Sequence, residues 1–210
     1  MNHWIEAGRP LVPSLLVDGV ASPILHSSQL ASILGLEAPA QLEVTRLAWD
    51  AAAVLDAWLT LIQPLDKEAL TAPTPSRGRS LRNLTVNVFH PFELLPTAFE
   101  TGHFGWEPAL DEDREAALQD AAAVVAYASD RCLAWQHWLY ESEADLLARD
   151  PVVTSPRGRV TYANLLDSQR WHAAFHYRQL LAFLDQRGHD LAGAFSLTSL
   201  AGLTLPAETF

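Results

Sequence analysis

Two histidines four residues apart, His172 and His176, stand late in the chain inside a helical repeat. Steps of three and four run Tyr162, Leu165, Gln169, His172, His176, Gln179, Phe183. That seam opens apolar, turns polar for four steps and closes apolar. Beside it Leu166, Ala173, Leu180 and Leu184 form an unbroken apolar stripe. The four polar residues therefore border a core, where polar groups must find partners. Histidines at i and i+4 on one helix face have Cβ atoms about 5–6 Å apart, and both rings can reach one metal ion at about 2.0–2.1 Å. A usable site needs a third ligand. His90, within Asn87-Val88-Phe89-His90-Pro91-Phe92-Glu93, is the candidate, because bundles build metal sites from inward side chains on facing helices. The pair alone also fits satisfied core histidines or surface histidines. The polar break in an apolar seam is what favours a site.

Other residue types with chemistry in them have plainer roles beside their functional ones. Gln169 and Gln179 flank the histidine pair, and Glu93 lies one turn from His90. Each has the position to hold a histidine tautomer or a bound water from the outer shell, although Glu93 also suits a solvated helix face. Cys132 falls on an apolar seam and reads as a buried structural thiol rather than a nucleophile. Trp135 and Trp171 read as core rather than substrate platforms. Arg82, Arg170 and Arg178 are able to bind an anionic substrate, with ion pairs to the acidic surface as the plainer role. His3, His26, His103, His137 and His189 have no spacing that points to a site.

The elements that position these residues are mostly helical. Near the N-terminus, Ser14-Leu15-Leu16-Val17, the turn pair Asp18-Gly19 and Ile24-Leu25-His26 predict a hairpin. Ser27 or Ser28 caps a short helix that Gly35 stops. From about residue 39 the period becomes helical, with Val44, Leu47, Ala51, Val54, Trp58 and Leu61 on one face and Pro64 at the end. A Pro/Gly/Ser-rich loop spans 71–79, and Ser80 caps a second helix through Leu81, Leu84 and Val88. Pro91 and Pro96 predict a kink or break in it, at the first candidate ligand. A third helix follows Leu118, Ala121, Val125, Ala128, Cys132, Trp135 and Leu139. A small hairpin or long turn is expected over 152–161, then a fourth helix over about 162–186. The tail, 192–210, carries Leu197, Leu200, Leu203 and Leu205 and is expected to pack as irregular or short helical structure. The expected fold class is mainly α: a four-helix bundle over 39–210 with a β-hairpin/helix appendage over 1–38.

Composition limits the function classes. In 210 residues there are 14 Lys plus Arg against 25 Asp plus Glu, a formal charge of −11. A surface that binds nucleic acid or anionic lipid needs the opposite excess, so neither is an expected partner. The apolar fraction of 49% with 19% charged residues is that of a globular chain with a core of its own. One cysteine excludes an intrachain disulfide framework and a CxxC pair. No leader pattern opens the sequence and no stretch of about 18 apolar residues occurs, so a cytoplasmic location is expected.

On these residues the chain resembles the DinB/YfiT-like superfamily. The resemblance rests on His90, on His172-Ala173-Ala174-Phe175-His176-Tyr177-Arg178-Gln179, on the lead-in Arg79-Ser80-Leu81-Arg82-Asn83-Leu84 and on the closing Leu203-Thr204-Leu205-Pro206. It covers about residues 40–206. It implies a commonly dimeric four-helix bundle whose divalent metal is held by His90, His172 and His176. Zinc, nickel and iron all suit such a site. Relatives of that family include thiol-dependent S-transferases and a mycothiol-dependent maleylpyruvate isomerase. The implied function is a metal-dependent enzyme with transferase, isomerase or hydrolase chemistry on a small molecule, with a low-molecular-weight thiol as co-substrate. The alternative is a non-catalytic metal- or ligand-binding bundle. Separately, Leu11-Val12-Pro13-Ser14-Leu15-Leu16-Val17-Asp18-Gly19 is similar to the second half of a glutaredoxin-like domain, which implies a cis Val-Pro bond. The match covers about residues 4–36 and lacks the half that carries redox cysteines. The hairpin is then a remnant without thiol-disulfide chemistry, with an edge able to complete a sheet across a dimer; a plain hairpin-helix appendage packed on the bundle fits the same residues equally well.

Overall fold

The computed structural model describes residues 14–23, 27–37, 42–75, 78–106, 111–156, 158–207 and 209. It is mainly helical. A hairpin of β1 (Ser14–Val17) and β2 (Val20–Pro23) precedes a short helix, α1 (Ser27–Leu34). The turn is tight: Asp18 and Gly19 both take positive φ, 49° and 80°, and Val17 pairs directly with Val20. Two left-handed residues close a two-residue hairpin, so the second strand starts at Val20 rather than at residues 24–26. Those three residues, and the Val12-Pro13 bond, lie outside the described residues.

The body follows. Helix α2 (Val44–Ile62) buries Leu47, Ala51, Val54, Leu55 and Trp58. After a single-turn helix, α3 (Lys67–Thr71), comes α4 (Leu81–Thr101). Ser80 caps α4, its hydroxyl accepting from the Asn83 amide at 2.9 Å. Gly102, at φ 68°, ends it. Next are a seven-residue helix, α5 (Asp111–Ala117), and the long α6 (Ala121–Ala148). A hairpin, β3 (Val152–Ser155) with β4 (Gly158–Thr161), leads into α7 (Tyr162–Asp185). The four long helices contact one another in a ring: α2 meets α6 and α7, and α4 meets the same two. No helix among the described residues is long and apolar enough to cross a membrane.

Two expectations change here. The third helix starts at Ala121, not Leu118, because the Asp120 carboxylate accepts from the Ala123 amide at 2.8 Å and caps it there. Its buried position is accordingly Val124 rather than Val125. Helix α4 runs unbroken through Pro91 and Pro96. Each proline deletes one backbone bond, but every residue from Thr85 to Phe92 is buried. Packing on all sides supports the helix around Pro91. Helix α5 packs on α4 over this stretch, meeting it at Asn87 and His90.

Beyond α7 the chain runs back along the same helix. The tail includes a single-turn 3-10 helix, Leu197–Ser199. Four side chains of α7 donate to its carbonyls: Arg170 to Ala201, Trp171 to Thr204, Arg178 to Pro206 and Gln179 to Thr209.

Candidate functional site

Residue by residue, the site begins on α4. Its buried middle puts Asn87 and His90, 3% and 2% exposed, on the side facing α5. Their partner is Asp111, the first residue of α5 and 1% exposed. His90 Nδ1 lies 2.7 Å from Asp111 Oδ1, and Asn87 Nδ2 donates to Asp111 Oδ2 at 2.8 Å. The same Asn87 presents its Oδ1 to His172 Nε2, 3.2 Å away on α7. His176, one turn on, has Nδ1 2.6 Å from Gln179 Oε1. Gln179 in turn donates to the Thr209 carbonyl at 2.8 Å. The rings of His172 and His176 are perpendicular, with centres 4.5 Å apart. Trp106 stands edge-on to His172 at 5.2 Å.

Helix α5 is fastened where it lies. Glu115 accepts from Ser80 and Asn83, both at 2.6 Å, and from Arg82 at 3.1 Å. The last turn of α5 is thereby clipped to the start of α4, while Asp111 in its first turn meets His90. Nothing in the sequence signalled this. Asp111 opens an acidic run, and acidic runs are ordinarily solvated surface. Asn87 carried a better signal, since it lies three residues before His90 on a helical period.

The structure therefore links His90, His172 and His176 through Asp111 and Asn87 and by ring contact. Among the described residues, no group of three or more His, Cys, Asp or Glu side chains stands together as a ready ligand set. Gln179 touches His176, as an outer-shell residue would. Gln169 is buried at 6% exposure, and its Oε1 has no hydrogen-bond partner. Glu93 goes elsewhere: it pairs with Arg114 at 3.1 Å and Arg131 at 3.4 Å. Its charge raises the pKa of Tyr127, though burial of that phenol is the larger cause.

The arginines are structural. Arg82 holds Glu115 and the Leu118 carbonyl, Arg178 holds the tail, and Arg170 is buried between Asp50 and Asp167. Trp135 is core, but Trp171 is not. It is 38% exposed, stacks on Phe175 at 5.2 Å and uses its N–H to hold the Thr204 carbonyl at 2.8 Å.

Cys132 is 3% exposed, and burial, followed by the charge and hydrogen bond of Asp56, pushes its thiol up. The thiolate is the nucleophile, so native protein at pH 8 is expected to leave an aromatic disulfide reagent unreacted until it unfolds. Rapid labelling of native protein would contradict this. The shift also has a sign for stability. An unfolded cysteine titrates near about 8.5, so the folded chain holds this proton longer. The thiol's contribution is whole below about pH 8.5 and is lost as pH rises beyond that.

Comparison with known protein families, curated proteins and solved structures finds no match to this chain. Its functional reading rests on the residues just described.

Proposed function

We propose that the cluster around His90, His172 and His176 is the divalent metal centre of a small-molecule enzyme. The four long helices would then be the four-helix bundle that the sequence resembles, and their ring of contacts supports that reading. The observation that carries the proposal is the way the imidazoles are held. One nitrogen of each ring is fixed by an oxygen of a neighbour: Asp111 for His90, Asn87 for His172, Gln179 for His176. Ligand histidines are typically held in this manner, most often by a carboxylate or carbonyl, with the second nitrogen given to the metal. The donor set fits. Two imidazoles sharing one ion at about 2.0–2.1 Å have ring centres about 4.5–5.2 Å apart, and His172 and His176 are at 4.5 Å. A metal bound there would supply Lewis acidity and a lowered pKa for a bound water or thiol.

The chain's own residues would then orient and exclude. Asp111 and Gln179 hold ligand rings, the Trp106 indole shields one side of His172, and Gln169 brings a buried acceptor one turn before it. With Cys132 committed to the core, a thiol in the reaction would come from a low-molecular-weight co-substrate. A hydrogen-bonded, non-catalytic bundle is the second reading. It takes its support from the protein hydrogen bonds that already engage each ring.

Elemental analysis of untagged protein decides between them. The proposal expects stoichiometric Zn, Ni or Fe in the wild type, and loss of it in His172→Ala along with turnover in a screen of thiols and electrophiles. Metal-free wild type that gains none on incubation sinks the centre. Stoichiometric metal in the variant sinks the ligand assignment. Light scattering tests the homodimer in the same samples.

A further inference from the structure

Two of the acceptors in the cluster are unable to donate. An ionised carboxylate only accepts, and so does a backbone carbonyl. Asp111 Oδ2 takes the Asn87 Nδ2 proton at 2.8 Å, which fixes the direction of the Asn87 amide. Its Oδ1 must then face His172, 3.2 Å from Nε2. A carbonyl oxygen meets a ring nitrogen favourably only if that nitrogen carries hydrogen. The neutral His172 ring is therefore protonated on Nε2, with its electron pair on Nδ1. Asp111 Oδ1 likewise demands a proton on His90 Nδ1, 2.7 Å away, which leaves the pair on Nε2. At the other end, the Thr209 carbonyl takes the Gln179 Nε2 proton at 2.8 Å. Gln179 Oε1 then faces His176 Nδ1 at 2.6 Å, and that pair too lies on Nε2.

We propose that Asp111 and the Thr209 carbonyl are the positioning acceptors of this cluster. Acting directly and through Asn87 and Gln179, they set which nitrogen of each histidine is the electron-pair donor: Nε2 of His90, Nδ1 of His172 and Nε2 of His176. Neither α5 nor the C-terminal tail carries a cluster histidine, yet each ends one relay. The inference rests on the cluster being the functional site. It specifies the ligand atoms that a divalent cation would meet there.

The test is the ¹⁵N spectrum of the imidazoles in full-length, chelator-treated protein at pH 8, with each ring assigned by its His→Gln variant. Wild type is expected to show Nδ1–H for His90 and His176 and Nε2–H for His172. Asp111→Asn offers one carbonyl where the carboxylate offered two acceptors, so His90 or His172 must reverse its tautomer or lose its bond. Asn87→Leu is expected to release His172 alone, and Gln179→Leu to release His176 alone. A merely structural role would not sort the rings in this way. In metal titrations with Zn²⁺ or Ni²⁺, Asp111→Asn is expected to bind about 10–100-fold more weakly. Wild-type tautomers opposite to these, or an Asp111→Asn spectrum unchanged at both rings, would overturn the proposal. Because the spectra are recorded without metal, failure of the metal reading leaves the tautomer result standing, and the two are told apart.

Discussion

Arg170→Ala is expected to lose about 3–5 kcal/mol of stability, the usual cost of breaking a buried ion pair by deleting one partner. Arg170 is 2% exposed and spends its guanidinium on three groups. It donates to Asp167 at 2.9 Å, to Asp50 at 3.0 Å and to the Ala201 carbonyl at 3.0 Å. Asp50, 6% exposed on α2, would be left with Arg46 as its remaining cation, and Arg46 is half exposed. In a chain of this size each kcal/mol moves Tm by about 2–4 °C, so the fall should be about 6–20 °C. Pairing the change with Asp50→Leu should restore part of it, since the stranded charge is then gone. A single variant within about 1 kcal/mol of wild type, in the range of ordinary surface changes, would show that Asp50 is not stranded. The effect reaches the site as well. Arg170 anchors the tail at Ala201, and a later carbonyl of that tail, Thr209, accepts from Gln179.

How much of this could be read beforehand divides by sequence distance. The period of α7 is local, and it placed Gln169, His172, His176 and Gln179 on one seam with Phe183. Four caps and stops were equally local: Ser80, Gly35, Pro64 and the Asp18-Gly19 turn. What failed was what depended on another element. Asp111 is 21 residues from His90, and only the docking of α5 on α4 makes it a partner. Arg170 lies 120 residues from Asp50; as a charged residue on a helix it read as surface until α2 was packed against it. The break expected at Pro91 does not occur for the same reason, because the lost backbone bond is met by burial from all sides. Trp171 reads apolar in isolation, but the returning tail gives its N–H a carbonyl and leaves the ring half out.

Trp58→Ala should cost about 3–5 kcal/mol, comparable with the loss of Arg170 but for an unlike reason. Trp58 is fully buried on α2, meets Phe89 of α4 edge-on at 6.5 Å and donates from Nε1 to Thr85 Oγ1 at 3.1 Å. Thr85 passes its own proton to the Leu81 carbonyl at 2.9 Å. Truncation removes the ring's contacts and leaves a cavity under the turn that carries His90. Two smaller changes separate volume from hydrogen bonding. Trp58→Phe keeps most of the volume and strands only an acceptor lone pair on a hydroxyl still bonded to Leu81, so about 1–2 kcal/mol is expected. Thr85→Val strands the buried indole N–H and should cost about 1–3 kcal/mol. Chemical denaturation of the three variants should rank Trp58→Ala well above the other two. Equal losses for Trp58→Ala and Thr85→Val would mean that the hydrogen bond, not the packed ring, joins α2 to α4. Trp58→Phe should keep the His90 tautomer, because Asp111 holds that ring from the opposite side of α4. Global stability and the setting of the site would then be shown to depend on different faces of one helix.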